Sequence, residues 1–293
     1  MPPPNRRSGG RTSFFNLQPS SFNLQPSTFN LKPLPPPPIP YNLRLVSTTN
    51  GPDALLDVIQ RHWGYHELLP HQQEAMDAIL DGRDSVVVLP TGGGKSLCYQ
   101  APALVGDGLA VVVSPLISLM KDQVDGLCAN GVPAACYNSA MSRDEQRRVV
   151  GELHRGDCRI LYVAPERLVG DDREWFRSLL GECDLRFLAV DEAHCISHWG
   201  HDFRPEYRGL GELREVFPAV SVHAFTATAT ERVRQDIAQQ LQLRAPDMVV
   251  GSFDRPNLVY RVLRRDSLRT QVRQVLSRHP GEAGIIYCIS RRE

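Results

Sequence analysis

Residues rich in Val, Ile and Leu gather in short unbroken runs at 85–89, 109–114, 159–163, 185–190, 220–225, 248–253 and 284–288. Runs of this length without polar alternation predict strands buried on both faces. Between most of them the apolar spacing changes to a helical period, which predicts helices over 116–129, 142–155 and 230–241. Strand–helix–strand alternation from about Asp53 onward predicts an α/β fold, a parallel sheet covered by helices on both faces. Ligands of such sheets sit at the carboxyl ends of the strands, and the chemistry-bearing segments of this chain fall there.

The first fifty residues break this pattern. Phe15-Asn16-Leu17-Gln18-Pro19 recurs as Phe22-Asn23-Leu24-Gln25-Pro26 and Phe29-Asn30-Leu31-Lys32-Pro33, a seven-residue period with a proline in every copy. The prolines forbid the coiled coil that a heptad would otherwise suggest. Pro35 to Pro38 favour polyproline II, and nothing in the stretch can build a core. A disordered tail over 1–50 is expected; a flexible leader without a task and an arm touching DNA or a partner are its two readings. The expected division is then an ordered domain over 51–250 and the start of a second over 251–293.

Composition narrows the class. Hydrophobic residues at 42% and charged residues at 23% suit a soluble globular chain. Lys plus Arg and Asp plus Glu are 33 each, so a nucleic-acid role needs a local basic groove rather than a global field. The seven cysteines include no Cys-x-x-Cys pair, which argues against a disulfide framework or a zinc site and fits a reducing, cytoplasmic setting. No run of 18 apolar residues offers a membrane span.

Two segments carry the chemistry. After the 85–89 run comes Pro90-Thr91-Gly92-Gly93-Gly94-Lys95-Ser96, a strand–loop–helix candidate for a phosphate cradle. Glycines admit positive φ and let backbone N–H groups approach phosphate, at a helix N-terminus that favours negative charge. Lys95 would reach the β- and γ-phosphates, and the Ser96 hydroxyl would ligate Mg²⁺. The strict G-x-x-x-x-G-K-[ST] pattern fails at its first glycine, where Leu89 stands, so a plain Gly-rich turn is the alternative. The second segment, Asp191-Glu192, ends the 185–190 run. Asp191 would hold Mg²⁺ and Glu192 would polarise the attacking water; an exposed acidic strand end is the plain alternative. Together the segments imply a site for Mg-ATP and its hydrolysis.

Further segments extend the pattern: Trp63-Gly64-Tyr65, Pro70-His71-Gln72, residues 89–100, 113–123, 162–168 and 190–205, Thr226-Ala227-Thr228-Ala229, and residues 252–257 and 285–288. In this order they resemble the RecQ family of DNA helicases, of superfamily 2, from about residue 55 to the end. The resemblance implies a RecA-like fold and 3′-to-5′ DNA unwinding driven by ATP with Mg²⁺. It implies that Tyr65 stacks on adenine, Gln72 bonds its edge, and Thr91, Gly92, Gly93, Gly94, Lys95 and Ser96 hold the phosphates. Leu69 departs from the family, which has an arginine there. Trp199, Phe203 and Arg204 would couple DNA contact to hydrolysis, in a 197–207 segment that interleaves aromatic and basic side chains. Ser114, Lys121, Pro165, Glu166 and Arg167 would touch the DNA backbone, while Thr226 and Thr228 would link the carboxylates to the DNA side. His194 would bridge motifs or sit as a satisfied core histidine. Single-stranded or 3′-tailed DNA is the implied partner.

The chain ends shortly after the 284–288 run. No candidate arginine finger and none of the family's zinc or winged-helix modules follow, so ATP and DNA binding with poor hydrolysis and no unwinding is expected of this polypeptide alone. An RNA helicase or duplex translocase on the same engine, a non-enzymatic ATP-gated DNA-binding module and a small-molecule kinase are the rival readings.

Overall fold

The computed structural model describes residues 52–287 apart from 201, 253 and 255–257. The expected tail over 1–50 lies outside these residues. In chain order the described elements begin with α1 (Pro52–Trp63), α2 (Gln72–Leu80), β1 (Ser85–Val88), α3 (Lys95–Gln100), β2 (Leu109–Val113) and α4 (Ile117–Ala129). Then follow β3 (Ala134–Tyr137), α5 (Arg143–Arg155), β4 (Ile160–Val163), α6 (Pro165–Val169), α7 (Arg173–Gly181) and β5 (Leu185–Val190). A short 3₁₀ turn, Ala193–Ile196, precedes α8 (Pro205–Arg208), α9 (Leu213–Val216), β6 (Ser221–Thr226), α10 (Glu231–Gln240), β7 (Asp247–Val250) and α11 (Leu268–Arg278).

The strands form one seven-stranded sheet among the described residues, in the order β3-β4-β2-β5-β6-β1-β7. Every pairing is parallel. Unbroken apolar runs suit this geometry, because successive side chains enter cores on opposite faces. Val86, Val88, Val111, Val113, Leu188 and Val190 pack into one core with Phe176 and Ile237. Val87, Leu89, Ala110, Val112, Phe187 and Ala189 pack into the other, closed by Leu55, Ile59 and Met76 from α1 and α2.

The anticipated helices form with shifts of a residue at their ends, and two carry the caps their sequences encode. Ser142 and Glu145 make a reciprocal capping box at the start of α5, while the Thr230 hydroxyl accepts from Val233 N at the start of α10. Three strand expectations need correction. β3 carries no long apolar run: Ala-Ala-Cys-Tyr has little intrinsic strand preference and is recruited at the sheet edge by β4. The run expected at 248–253 pairs instead over Asp247–Val250, with Phe253 outside the described residues. The run at 284–288 forms no strand over 284–287, where the apolar side chains are exposed and no strand among the described residues pairs with it.

Candidate active site and DNA-facing loops

The chain leaves β1 through Leu89 and Pro90 and turns over the glycines before entering α3. Gly92 has φ +83° and Gly94 φ +71°, backbone that side chains resist. A Cβ on Gly93 would lie 2.9 Å from the Pro90 carbonyl oxygen, and one on Gly94 would collide with the Gln72 amide. The loop is therefore a backbone-lined cradle, with Thr91 and Gly92 exposed at its rim. Lys95 lies back along it, its Nζ donating to the Leu89 carbonyl at 3.1 Å, and Ser96 follows half-buried on α3.

Tyr65 and Gln72 occupy opposite environments. Tyr65 is 54% exposed, whereas Gln72 is 2% exposed. Gln72 accepts from Leu69 N at 2.8 Å, and its amide donates to the carbonyls of Gly93 and Gly94 at 3.4 and 3.3 Å. It ties the segment before α2 to the phosphate loop. Leu69 stands half-exposed above the loop.

Asp191 and Glu192 leave β5 two strands away from β1. Asp191 is buried, accepting from Glu192 N at 2.9 Å and from the Tyr99 hydroxyl at 3.4 Å. Burial first, and the adjacent Glu192 charge second, push its carboxyl up to about 6, while Lys95 pulls the other way. Glu192 adopts φ +48°, an uncommon conformation for a side-chain-bearing residue, which carries it out of the strand line toward solvent. Its Oε2 is 3.3 Å from His194 Nδ1, and that nitrogen is 2.9 Å from the Thr226 hydroxyl at the end of β6. Thr226 Oγ also accepts from Thr228 N at 3.3 Å, folding the turn from buried Thr226 to exposed Thr228 and Thr230. A continuous polar chain thus runs from Tyr99 through the carboxylates and His194 to the Thr226–Thr228 turn.

Sequence reading gave Tyr99 no role. The signal was present: it lies four residues after Lys95 and so shares its helix face. Tyr207, whose hydroxyl donates to the Asp191 carbonyl at 3.0 Å, had no such local signal.

The aromatic segment lies alongside. Trp199 is 59% exposed, the rings of His198 and Phe203 meet tilted by 32° at 3.7 Å between centroids, and the Arg208 guanidinium is 5.6 Å from Phe203. Arg204 donates to the Pro115 carbonyl at 3.0 Å and pairs with Asp202 at 3.0 Å, joining this segment to the end of β2. His201 lies outside the described residues. At the neighbouring strand ends Lys121 is exposed on α4, and Ser114 is buried with no hydrogen bond to its hydroxyl among the described residues. Pro165 is buried at the start of α6, Glu166 accepts from Ser139 at 3.3 Å, and Arg167 donates to the Asn138 carbonyl at 3.2 Å while lying over the Tyr137 ring. All these groups share the carboxyl-end face of the sheet.

Asp191, Ser96 and the loop N–H groups suit a magnesium–nucleotide pair. Mg²⁺ takes few protein ligands and completes its shell with phosphate oxygens and water. A buried carboxylate strained by a like charge is a position that a cation relieves. Among the described residues no cluster of three His, Cys, Asp or Glu side chains could hold a metal by itself.

A family model described as DEAD/DEAH box helicase matches residues 69–237. The ATP-dependent DNA helicase RecQ of Pasteurella multocida is 48% identical over 236 residues, covering 80% of this chain and 37% of that protein. RecQ of Haemophilus influenzae is 45% identical over 238 residues, covering 81% and 38%. The RecQ-like DNA helicase BLM of Xenopus laevis is 39% identical over 246 residues, covering 82% and 18%. This chain therefore spans well under half the length of these relatives. Among solved structures, the DUF1998 helicase MrfA bound to DNA and AMPPNP superposes with a TM-score of 0.53 at 20% identity, over 68% of this chain and 29% of that one. Mycobacterium smegmatis Lhr bound to ssDNA and AMP-PNP gives 0.51 at 19%, over 64% and 26%. At such identities the structures speak for the RecA-like fold alone. With a family model over more than half its length, the chain belongs to the DEAD/DEAH box helicase family, and the relatives it resembles include RecQ helicases.

Proposed function

We propose that this chain carries the ATP-binding and strand-gripping part of a RecQ-type DNA helicase that moves 3′ to 5′ at the expense of Mg-ATP, in recombination and repair. The observation that carries the reading is the polar chain from Tyr99 and Asp191 through Glu192 and His194 to Thr226, which runs from the helix behind the glycine loop to the Thr226–Thr228 turn. Tyr65 stacks on adenine. Gln72 shapes the loop and offers its remaining acceptor capacity to the adenine edge. Thr91, Gly92, Gly93, Gly94 and Ser96 surround the phosphates, and Lys95 swings from the Leu89 carbonyl to the β- and γ-phosphates.

Ser96 and Asp191 would hold Mg²⁺, which when bound neutralises charge on the β- and γ-phosphate oxygens. Glu192 takes the proton of the attacking water, with His194 fixing its orientation. On the DNA side, Trp199 and Phe203 offer stacking faces. Ser114, Lys121, Pro165, Glu166, Arg167 and Arg204 line the route of a single strand or a 3′ tail. A strand seated there moves the Thr226–Thr228 turn and thereby His194 and Glu192.

The test is nucleotide binding by the chain itself. Saturable Mg-dependent binding of a fluorescent ATP analogue is expected, weakened at least tenfold by Lys95→Ala through loss of its phosphate contacts. Binding that Lys95→Ala and magnesium removal both leave unchanged would refute the assignment.

A further inference from the structure

Trp199 is more than half exposed, yet one face of its ring is covered. The guanidinium carbon of Arg232 lies 3.3 Å from the indole centroid. Arg232 sits in the first turn of α10, exposed to solvent, with no neighbouring carboxylate engaged to it among the described residues. The acid one turn further on, Asp236, is committed elsewhere: it accepts from the Ser197 hydroxyl at 2.5 Å and from Gln240 at 3.2 Å. Ser197 Oγ in turn accepts from Trp199 N at 3.2 Å. One face of α10, through residues four apart, therefore grips the aromatic segment twice, once at the backbone turn and once at the ring. The helix begins directly after the Thr226–Thr228 turn that contacts His194.

A planar cation stacked on an indole face is attractive and limits the rotation of an otherwise exposed ring. With one face occupied, the exposure that remains belongs to the opposite face and the ring edge. A nucleic-acid base can stack on that open face. We infer that Arg232 is a positioning residue for single-stranded DNA, holding the Trp199 ring so that its uncovered face meets a base. The inference rests on the reading of residues 197–207 as a DNA-contacting segment.

A double-mutant cycle on the full chain separates the two ideas. The probe is a fluorescein-labelled oligo-dT read by anisotropy, for wild type, Arg232→Ala, Arg232→Lys, Trp199→Ala and the Arg232→Ala/Trp199→Ala pair. Arg232→Ala should weaken binding about two- to fivefold, the range of an exposed cation–π contact, and Arg232→Lys should restore part of it. In the Trp199→Ala background Arg232→Ala should add nothing, because its effect passes through the ring. The salt dependence of Arg232→Ala should match wild type, since no phosphate contact is lost. Thermal melts coinciding with wild type keep unfolding apart from these effects, as expected for an exposed site. Additive losses, or a shallower salt slope, would make Arg232 a direct phosphate contact and overturn the inference. An intact Arg232→Ala beside a weakened Trp199→Ala would overturn it while sparing the underlying reading. A Trp199→Ala chain that binds like wild type would remove both.

Discussion

Asp191 is the carboxylate proposed to hold magnesium. It is buried beside a second carboxylate, and its carboxyl titrates near 6 instead of 3.8. Between those values the folded chain holds a proton that the unfolded chain releases, so this group's contribution is full below 3.8 and declines as pH rises through 6. At neutral pH the ionised carboxylate destabilises the ligand-free fold. Asp191→Asn removes the charge, keeps an acceptor for Glu192 N while its amide group can donate to the Tyr99 oxygen, and should stabilise the ligand-free chain at pH 7.5 by on the order of 1 to 3 kcal/mol. Thermal melts at pH 5 and 7.5 check this: the gain should shrink at pH 5, where wild-type Asp191 is mostly protonated. The same variant should lose magnesium-dependent ATP binding. Asp191→Asn melting below wild type at both pH values would show that the carboxylate is structurally favourable, contrary to this reading.

At the scale of elements, the opposite end of the sheet is fastened by a second buried carboxylate with the reverse balance. Asp84, just before β1, accepts from Val222 N at 2.8 Å on β6, from Arg244 N at 2.7 Å before β7, and from the buried Arg214 guanidinium. Burial pushes its carboxyl up, but the hydrogen bonds from Arg214, Arg244 and Val222 together outweigh that and hold it below the usual range. Its contribution is therefore present above the unfolded value of 3.8 and is lost as pH falls through the lower folded one. Nearby His223, between the hydroxyls of Ser85 and Ser221 at 2.9 and 2.8 Å, is driven down to about 3 by burial and stays neutral at physiological pH. Asp84→Ala leaves Arg214 buried without its partner and two backbone N–H groups unmet; urea unfolding should show a loss on the order of 3 to 5 kcal/mol. A loss below 1 kcal/mol would mean that β6, β1 and β7 are held without this centre. None of these partners was legible in the sequence, because each lies on a different element. What was legible is what local chemistry dictates: apolar runs buried on both faces, and helices over 116–129, 142–155 and 230–241. The edge strand β3 was missed because pairing with β4 makes it a strand, whereas its own residues do not. The 284–288 run shows the converse, strand-forming residues with no partner over 284–287.

Across the described residues, the carboxyl ends of five strands bring the groups proposed to meet nucleotide and DNA onto one surface. The glycine-rich loop and the carboxylate pair are each contiguous segments at strand ends, so their positions could be read directly. The contacts that join them could not: Tyr99 to Asp191, His194 to Thr226, Ser197 to Asp236 and Arg232 to Trp199 all depend on how the sheet orders its strands. These contacts make the central claim testable, that nucleotide and DNA sites communicate within this chain. By linkage, coupled sites must change each other's affinity by the same factor. The most direct measurement is the affinity of the wild-type chain for labelled single-stranded DNA, with and without a saturating non-hydrolysable ATP analogue and magnesium. Coupling through Glu192, His194 and Thr226 predicts at least about a fivefold difference between the two conditions, shrinking toward unity in His194→Ala. Equal affinities in wild type under both conditions, with nucleotide shown to be bound, would contradict it.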